Sequence, residues 1–136
     1  MLVRNDESKE KFGCEQCWPP SAEVAWEASH TLSHEADLID ESHFHIMIRS
    51  CSVCSQRFIS VFTETIDWAD GEDPQYWTLL PITVPEAAEL IRRRGSLTEN
   101  DINSLQSNRQ SLRHDFPKGE APRTFWAIGI LVDAHD

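Results

Sequence analysis

Between His43 and Trp68 the chain places its apolar residues as strands do. Phe44, Ile46 and Ile48 fall on one side of an extended segment over residues 43–50, and His43, His45, Met47 and Arg49 on the other. After a short interruption, Arg57 to Trp68 is rich in β-branched and aromatic side chains, which predicts a second strand. Upstream the period changes. Val24, Ala25, Ala28, Leu32, Ala36 and Ile39 share one arc at about 100° per residue, which predicts a helix from Ala22 to about Ile39. Trp26, His30, His34 and Asp37 form a second, polar stripe on that helix. Pro19-Pro20-Ser21 breaks the chain before it, with Ser21 as N-cap and Glu23 in the first turn.

Downstream, residues 67–74 read as a loop, because Asp-Gly and Asp-Pro both favour turns. Tyr76 to Thr83 predicts a third strand, and Pro81 implies that it lies at an edge or ends there. Pro85 suits the first turn of a helix running from Glu86 to Arg94 and closed by Gly95, with Glu89 and Arg93 as an i,i+4 pair. Thr98 and Asp101 resemble a capping box opening another helix, with Ile102, Leu105 and Leu112 on one side. The unbroken apolar run from Thr124 to Val132 predicts a last strand covered on both faces, hence a central one. The fold class is therefore α+β: a mixed or antiparallel sheet of about four strands with about three helices.

At 136 residues the chain fits one domain. Residues 1–11 are charged and predict a mobile tail; residues 12–136 form the domain. That N-terminus has no signal-peptide core, and no stretch approaches the roughly 20 apolar residues of a membrane span, so a cytoplasmic protein without membrane association is expected. In such a compartment thiols stay reduced, and paired cysteines are read first as metal ligands. The four cysteines stand as two C-x₂-C pairs, Cys14/Cys17 and Cys51/Cys54, the second between two predicted strands. Each such turn offers two sulfurs, and two turns complete the tetrahedral shell of a structural Zn²⁺. An iron or redox site and free thiols packed as small apolar groups are the alternatives. The pairs with their flanks resemble zinc-ribbon proteins, in which two knuckles clamp one metal and at least one knuckle tips a β-hairpin. In one respect the chain departs from ribbons: 33 residues separate Cys17 from Cys51 and include the predicted helix. Four thiolates leave no open position for water, which implies a structural metal rather than a catalytic one.

Charge narrows the partners. Asp and Glu number 23 against 12 Lys and Arg, for a formal charge of −11, and phosphate binding rests on the opposite balance. Nucleic acid is an improbable partner and a basic protein a suitable one. Asp67, Asp70, Glu72 and Asp73, flanked by Trp68, Tyr76 and Trp77, combine charge with aromatic anchors of the sort that engage Arg-rich surfaces. The spacing misses the EF-hand pattern at Ala69. Trp26, His30 and His34 offer a second candidate surface; His30 and His34 at i,i+4 also permit a metal completed by Glu35, Asp37, His43 or His45, although HExxH is absent. No nucleophile elbow, phosphate loop or dinucleotide fingerprint occurs. In size, acidity and aromatic content the chain is similar to the small cytosolic immunity proteins that cover a bacterial toxin's active site. That similarity implies a non-enzymatic, zinc-stabilised blocker of a basic partner, with a cognate toxin as the partner in the immunity version. Two other classes stay open: a zinc-ribbon accessory of nucleic-acid or transcription machinery, and an enzyme, either a thiol oxidoreductase or a metal-dependent hydrolase.

Overall fold

The computed structural model describes residues 11–105 and 108–135. Apart from Lys11, the predicted N-terminal tail lies outside the described residues. In chain order the elements are α1 (Ala22–Ser29), β1 (Ser33–Glu41), β2 (Phe44–Ser50), β3 (Arg57–Glu64), β4 (Gln75–Ile82), α2 (Val84–Arg92), α3 (Glu99–Asn103), β5 (Gln110–Phe116) and β6 (Arg123–Ile128). The six strands make one sheet in sequence order, and every neighbouring pair is antiparallel.

Alternation gives this sheet two different faces. On the first, Phe44, Ile46 and Ile48 of β2 meet Ile59 and Val61 of β3 and Leu80 and Ile82 of β4. Ala87 and Leu90 of α2 and Ile102 of α3 cover them, and the chain after β6 adds Ile130 and Val132. Burying each of the larger aliphatic side chains contributes about 1.5–3 kcal/mol, so this face carries the main core. The opposite face holds a smaller cluster in which Phe58, Leu79 and Leu112 pack against Ala22, Ala25, Leu32, Cys17 and Cys51. Here α1 lies over β5 and β6. Trp18 continues the packing, at 5.3 Å from Phe58 and 4.9 Å from Trp126 between ring centroids. Cys14, Cys17 and Cys51 thus belong to the second cluster and not to the first.

Several expectations are corrected. The helix from Ala22 stops at Ser29, with His30 as its C-cap, and Ser33–Glu41 is an edge strand. Two register shifts, between His34 and Ala36 and between Asp37 and Ile39, interrupt the alternation of β1. These bulges bring Ala36 and Ile39 to one side and so imitate helical spacing. The second predicted strand ends at Glu64 rather than Trp68, and the sheet has six strands rather than about four. Leu112 belongs to β5, since α3 ends at Asn103. The last strand, β6, is an edge strand ending at Ile128, which is exposed. Its apolar run continues instead as a segment that turns at Gly129 (φ 71°) and passes under the core face, where Val132 N donates to Asn103 Oδ1 and His135 stacks on Phe44. Pro81 sits in an interior strand, but the β4–β5 ladder ends at the Leu79–Leu112 pair, so the missing N–H costs no bond on that side. The Glu89 partner is Arg92, while Arg93 pairs with Asp101.

Candidate metal centre and binding surfaces

Both knuckles are built by backbone turns aimed at sulfur. In the first, Gly13 takes φ 73°, Cys14 N donates to Cys17 Sγ at 3.3 Å, and Trp18 N closes the turn on Cys14 O at 2.8 Å. In the second, at the tip of the β2–β3 hairpin, Val53 N donates to Cys51 Sγ at 3.3 Å and Ser55 N to Cys51 O at 2.9 Å. Gln56 couples the two. Its Oε1 accepts Gly13 N at 2.9 Å, and its Nε2 donates to the carbonyls of Arg57 and Ile82 at 2.8 Å each. Nothing in the cysteine spacing pointed to this residue; its only signal was a polar side chain directly beside the knuckle.

Four sulfurs about 2.3 Å from one tetrahedral ion stand about 3.8 Å apart. The structure places Cys14 Sγ 3.9 Å from both Cys17 Sγ and Cys51 Sγ, and Cys17 Sγ 3.8 Å from Cys54 Sγ. All four lie within 4.8 Å of one another, so the cysteines are positioned to bind a metal ion as the spacing predicted. These separations are far too long for disulfides, whose sulfurs lie about 2.05 Å apart. The Cys17 backbone amide holds the Cys14 thiol down at about 7, whereas burial pushes the Cys17 thiol up. Four thiolates at this spacing would repel one another, and a divalent cation at their centre would supply the counter-charge. Cys17 and Cys51 are buried and Cys54 faces solvent, so the site lies at the surface end of the second cluster.

The predicted partner residues other than Tyr76 divide into two places. Asp67, Trp68, Asp70, Glu72 and Asp73 form the β3–β4 loop. There Asp67 is consumed internally: its carboxylate accepts the backbone N–H groups of Ala69, Asp70 and Glu72 at 3.2 Å each. Asp73 Oδ1 accepts Asp67 N at 2.7 Å. Lys118 Nζ bridges Asp67 and Asp70 at 3.0 and 2.8 Å, and its hydrogen bond helps hold the Asp67 carboxyl below the usual range. The loop is thereby ordered, and Trp68 at its tip is 88% exposed. Tyr76 belongs to neither place, since its ring packs beside the Arg113 guanidinium.

Trp26, His30, His34 and Trp77 come together elsewhere, around an open cleft of about 680 Å³ on the metal face, between α1 and strands β1 to β4. His30 and His34 do not share a helix; one caps α1 and the other stands on β1 opposite Arg49. Their side chains turn to separate partners, His30 to the Glu27 carbonyl and His34 to Asp37, while His45 pairs with Asp40 and His43 with Glu64. Among the described residues, the four cysteines are the one group of three or more possible ligands within metal-binding reach, so the second metal site does not assemble. Phe62 completes the aromatic wall, 5.0 Å from Trp77, and His114 backs it by stacking on Trp26 at 4.1 Å. His114 escaped the sequence reading because its strand did. No family model, curated protein or solved structure matches this chain, so function rests on these sites themselves. Among the described residues no helix is long and apolar enough to cross a membrane.

Proposed function

We propose that this chain is a non-enzymatic binding protein, stabilised by one structural Zn²⁺, that blocks a basic surface on a protein partner. The observation that carries this reading is Trp68, which stands 88% exposed at the tip of an ordered acidic loop. Leaving an indole in water forgoes roughly 2 kcal/mol of burial, and exposed tryptophans are favoured anchors at protein interfaces. The loop around it is ordered before any partner arrives, which lowers the entropy cost of binding. The formal charge of −11 favours a cationic target and speeds its approach. In the immunity version of this reading, the target is a toxin whose phosphate-binding surface is basic. Zinc is the metal of choice because all four ligands are thiolates in a closed tetrahedral shell. That shell has no open position, and neither CxxC pair sits in the first turn of a helix, features that favour a structural site over a redox one.

Affinity capture from the native host, comparing the wild type with Trp68→Ala and Asp70→Asn at two salt concentrations, tests the reading. A stoichiometric basic partner should be retained at low salt, weakened several-fold by added salt and lost with Trp68→Ala. Capture that is equal for Trp68→Ala and insensitive to salt sinks it.

A further inference from the structure

The cleft on the metal face is not used by the acidic loop, and its chemistry differs. We infer that it is a binding site for a small aromatic carboxylate, whose anion is held by Arg49 and whose ring lies against Trp77 and Phe62. Three observations converge on that ligand.

The first is an unmatched cation. Arg49 is half-buried in the lining of the cleft, and its Nη2 donates to the carbonyls of Ser29 at 2.8 Å and Leu32 at 3.4 Å. Those two bonds orient the guanidinium without neutralising it. Among the described residues no carboxylate lies within 4.0 Å of it, whereas the other deeply placed guanidiniums have one: Arg109 pairs with Glu86, and Arg113 with Asp115 and Asp133. With Nη2 turned to those carbonyls, Nη1 and Nε each keep an N–H donor that can make a single charge-assisted bond to a carboxylate oxygen. Burial without a counter-ion depresses the Arg49 pKa, the opposite of the shift at Arg113.

The second is the wall. Trp26, Trp77 and Phe62 present aromatic surface, and Met47 and Leu79 add apolar floor. Contacts with His114 fix Trp26 and Trp77 in place. Such a surface favours a flat, unsaturated body. The third is size and charge together. About 680 Å³ falls within the range of small-molecule sites. Of the lining residues, His34 and His45 each hold a carboxylate, Asp37 and Asp40, and the chain as a whole is strongly acidic. A polyanion would meet that field, whereas a single negative charge directed to Arg49 avoids most of it.

The test uses the full-length, zinc-loaded chain, titrated with 2-naphthoate and its neutral match 2-naphthamide, read by tryptophan fluorescence and calorimetry. Naphthoate should bind at one per chain, about tenfold or more tighter than the amide, because a hydrogen bond to a charged group contributes about 1.5–3 kcal/mol. Arg49→Gln should bring naphthoate down to the level of the amide. Ser60→Phe, which fills the floor while keeping Arg49, should abolish both without changing zinc content or circular dichroism; it decides the matter if Arg49→Gln does not fold. Trp68→Ala should leave naphthoate binding intact, which separates this site from the protein-binding surface. Equal affinity for acid and amide, no effect of Arg49→Gln in a folded protein, or no binding at millimolar ligand each overturns the assignment.

Discussion

Gly13 shows how much of the metal centre rests on one backbone angle. Its φ of 73° lies in the left-handed region, and a Cβ there would meet Trp18 Cβ at 2.7 Å and Cys17 Sγ at 3.0 Å. Gly13→Ala therefore combines a conformational cost of about 1–2 kcal/mol with a clash that displaces a metal ligand. It should lower stability by about 2–4 kcal/mol and weaken zinc retention against a chelator, both measured in one titration; a variant of wild-type stability would show that the turn is not fixed this way. The ligands themselves should differ by burial. Cys51 is buried beside Phe58 and Leu79, whereas Cys54 is exposed. Cys51→Ser should lose the metal and loosen α1, while Cys54→Ser should keep the fold and bind zinc more weakly, with water able to reach the vacated position. Equal losses of zinc and of helix signal in the two variants would contradict this asymmetry.

At the scale of elements, α2 shows how one carboxylate joins a helix to the sheet. Thr83 N donates to Glu86 Oε1 at 2.7 Å and Glu86 N to Thr83 Oγ1 at 3.2 Å, a complete capping box. The same Glu86 accepts Arg109 Nη1 at 2.8 Å, and Arg109 also donates to Pro81 O at the end of β4. Burial pushes the Glu86 pKa up, but the Arg109 and Thr83 hydrogen bonds outweigh it and hold the carboxyl below its ordinary value. The unfolded chain thus binds this proton more tightly. The stabilisation is complete above about pH 4.3, the unfolded value, and is lost as pH falls through the lower folded one. Glu86→Gln keeps the cap but leaves Arg109 unpaired, so it should cost about 1–3 kcal/mol at pH 7 and much less at pH 3, by urea unfolding at both. A gap that does not narrow in acid would remove Glu86 from the acid-sensitive set. This helix was legible because its signals are local: a proline in the first turn and a glycine after the end. So were the knuckle residues and the strands on either side of the second knuckle. Strands β1 and β5 were not. In β1 the bulges disguise the period, and in β5 the polar run Arg113-His114-Asp115 interrupts the apolar pattern, its partners Asp133, Trp26 and Arg123 lying elsewhere in the chain. The cleft was invisible for the same reason: Arg49, Phe62, Trp77 and His114 become neighbours only through strand order.

The whole molecule has two cores separated by the sheet, and only one of them contains the cysteines. Metal removal should therefore act unevenly. The core under α2 and α3 is formed by Ile46, Ile48, Ile59, Leu80, Ile82 and Ile102, each almost fully buried and none in the cluster that holds the cysteines. The other face relies on Cys17 and Cys51 to seat α1 through Ala22 and Ala25, and on Trp18 to bridge Phe58 and Trp126. Structural zinc sites contribute about 10–16 kcal/mol in isolated zinc-finger peptides; here a separate aliphatic core makes part of the fold independent of that contribution. Metal analysis should find one zinc per chain. Chelation should then increase hydrogen exchange at the amides of α1 and both knuckles by orders of magnitude, while those of β2, β3 and β4 stay protected and the far-ultraviolet signal of the sheet persists. Tryptophan emission should shift to the red as Trp18 and Trp126 become hydrated, and re-addition of zinc should reverse the change. Complete loss of strand protection on chelation would show that the two faces fold as one unit, and no change at α1 would show that the cysteines do not hold it.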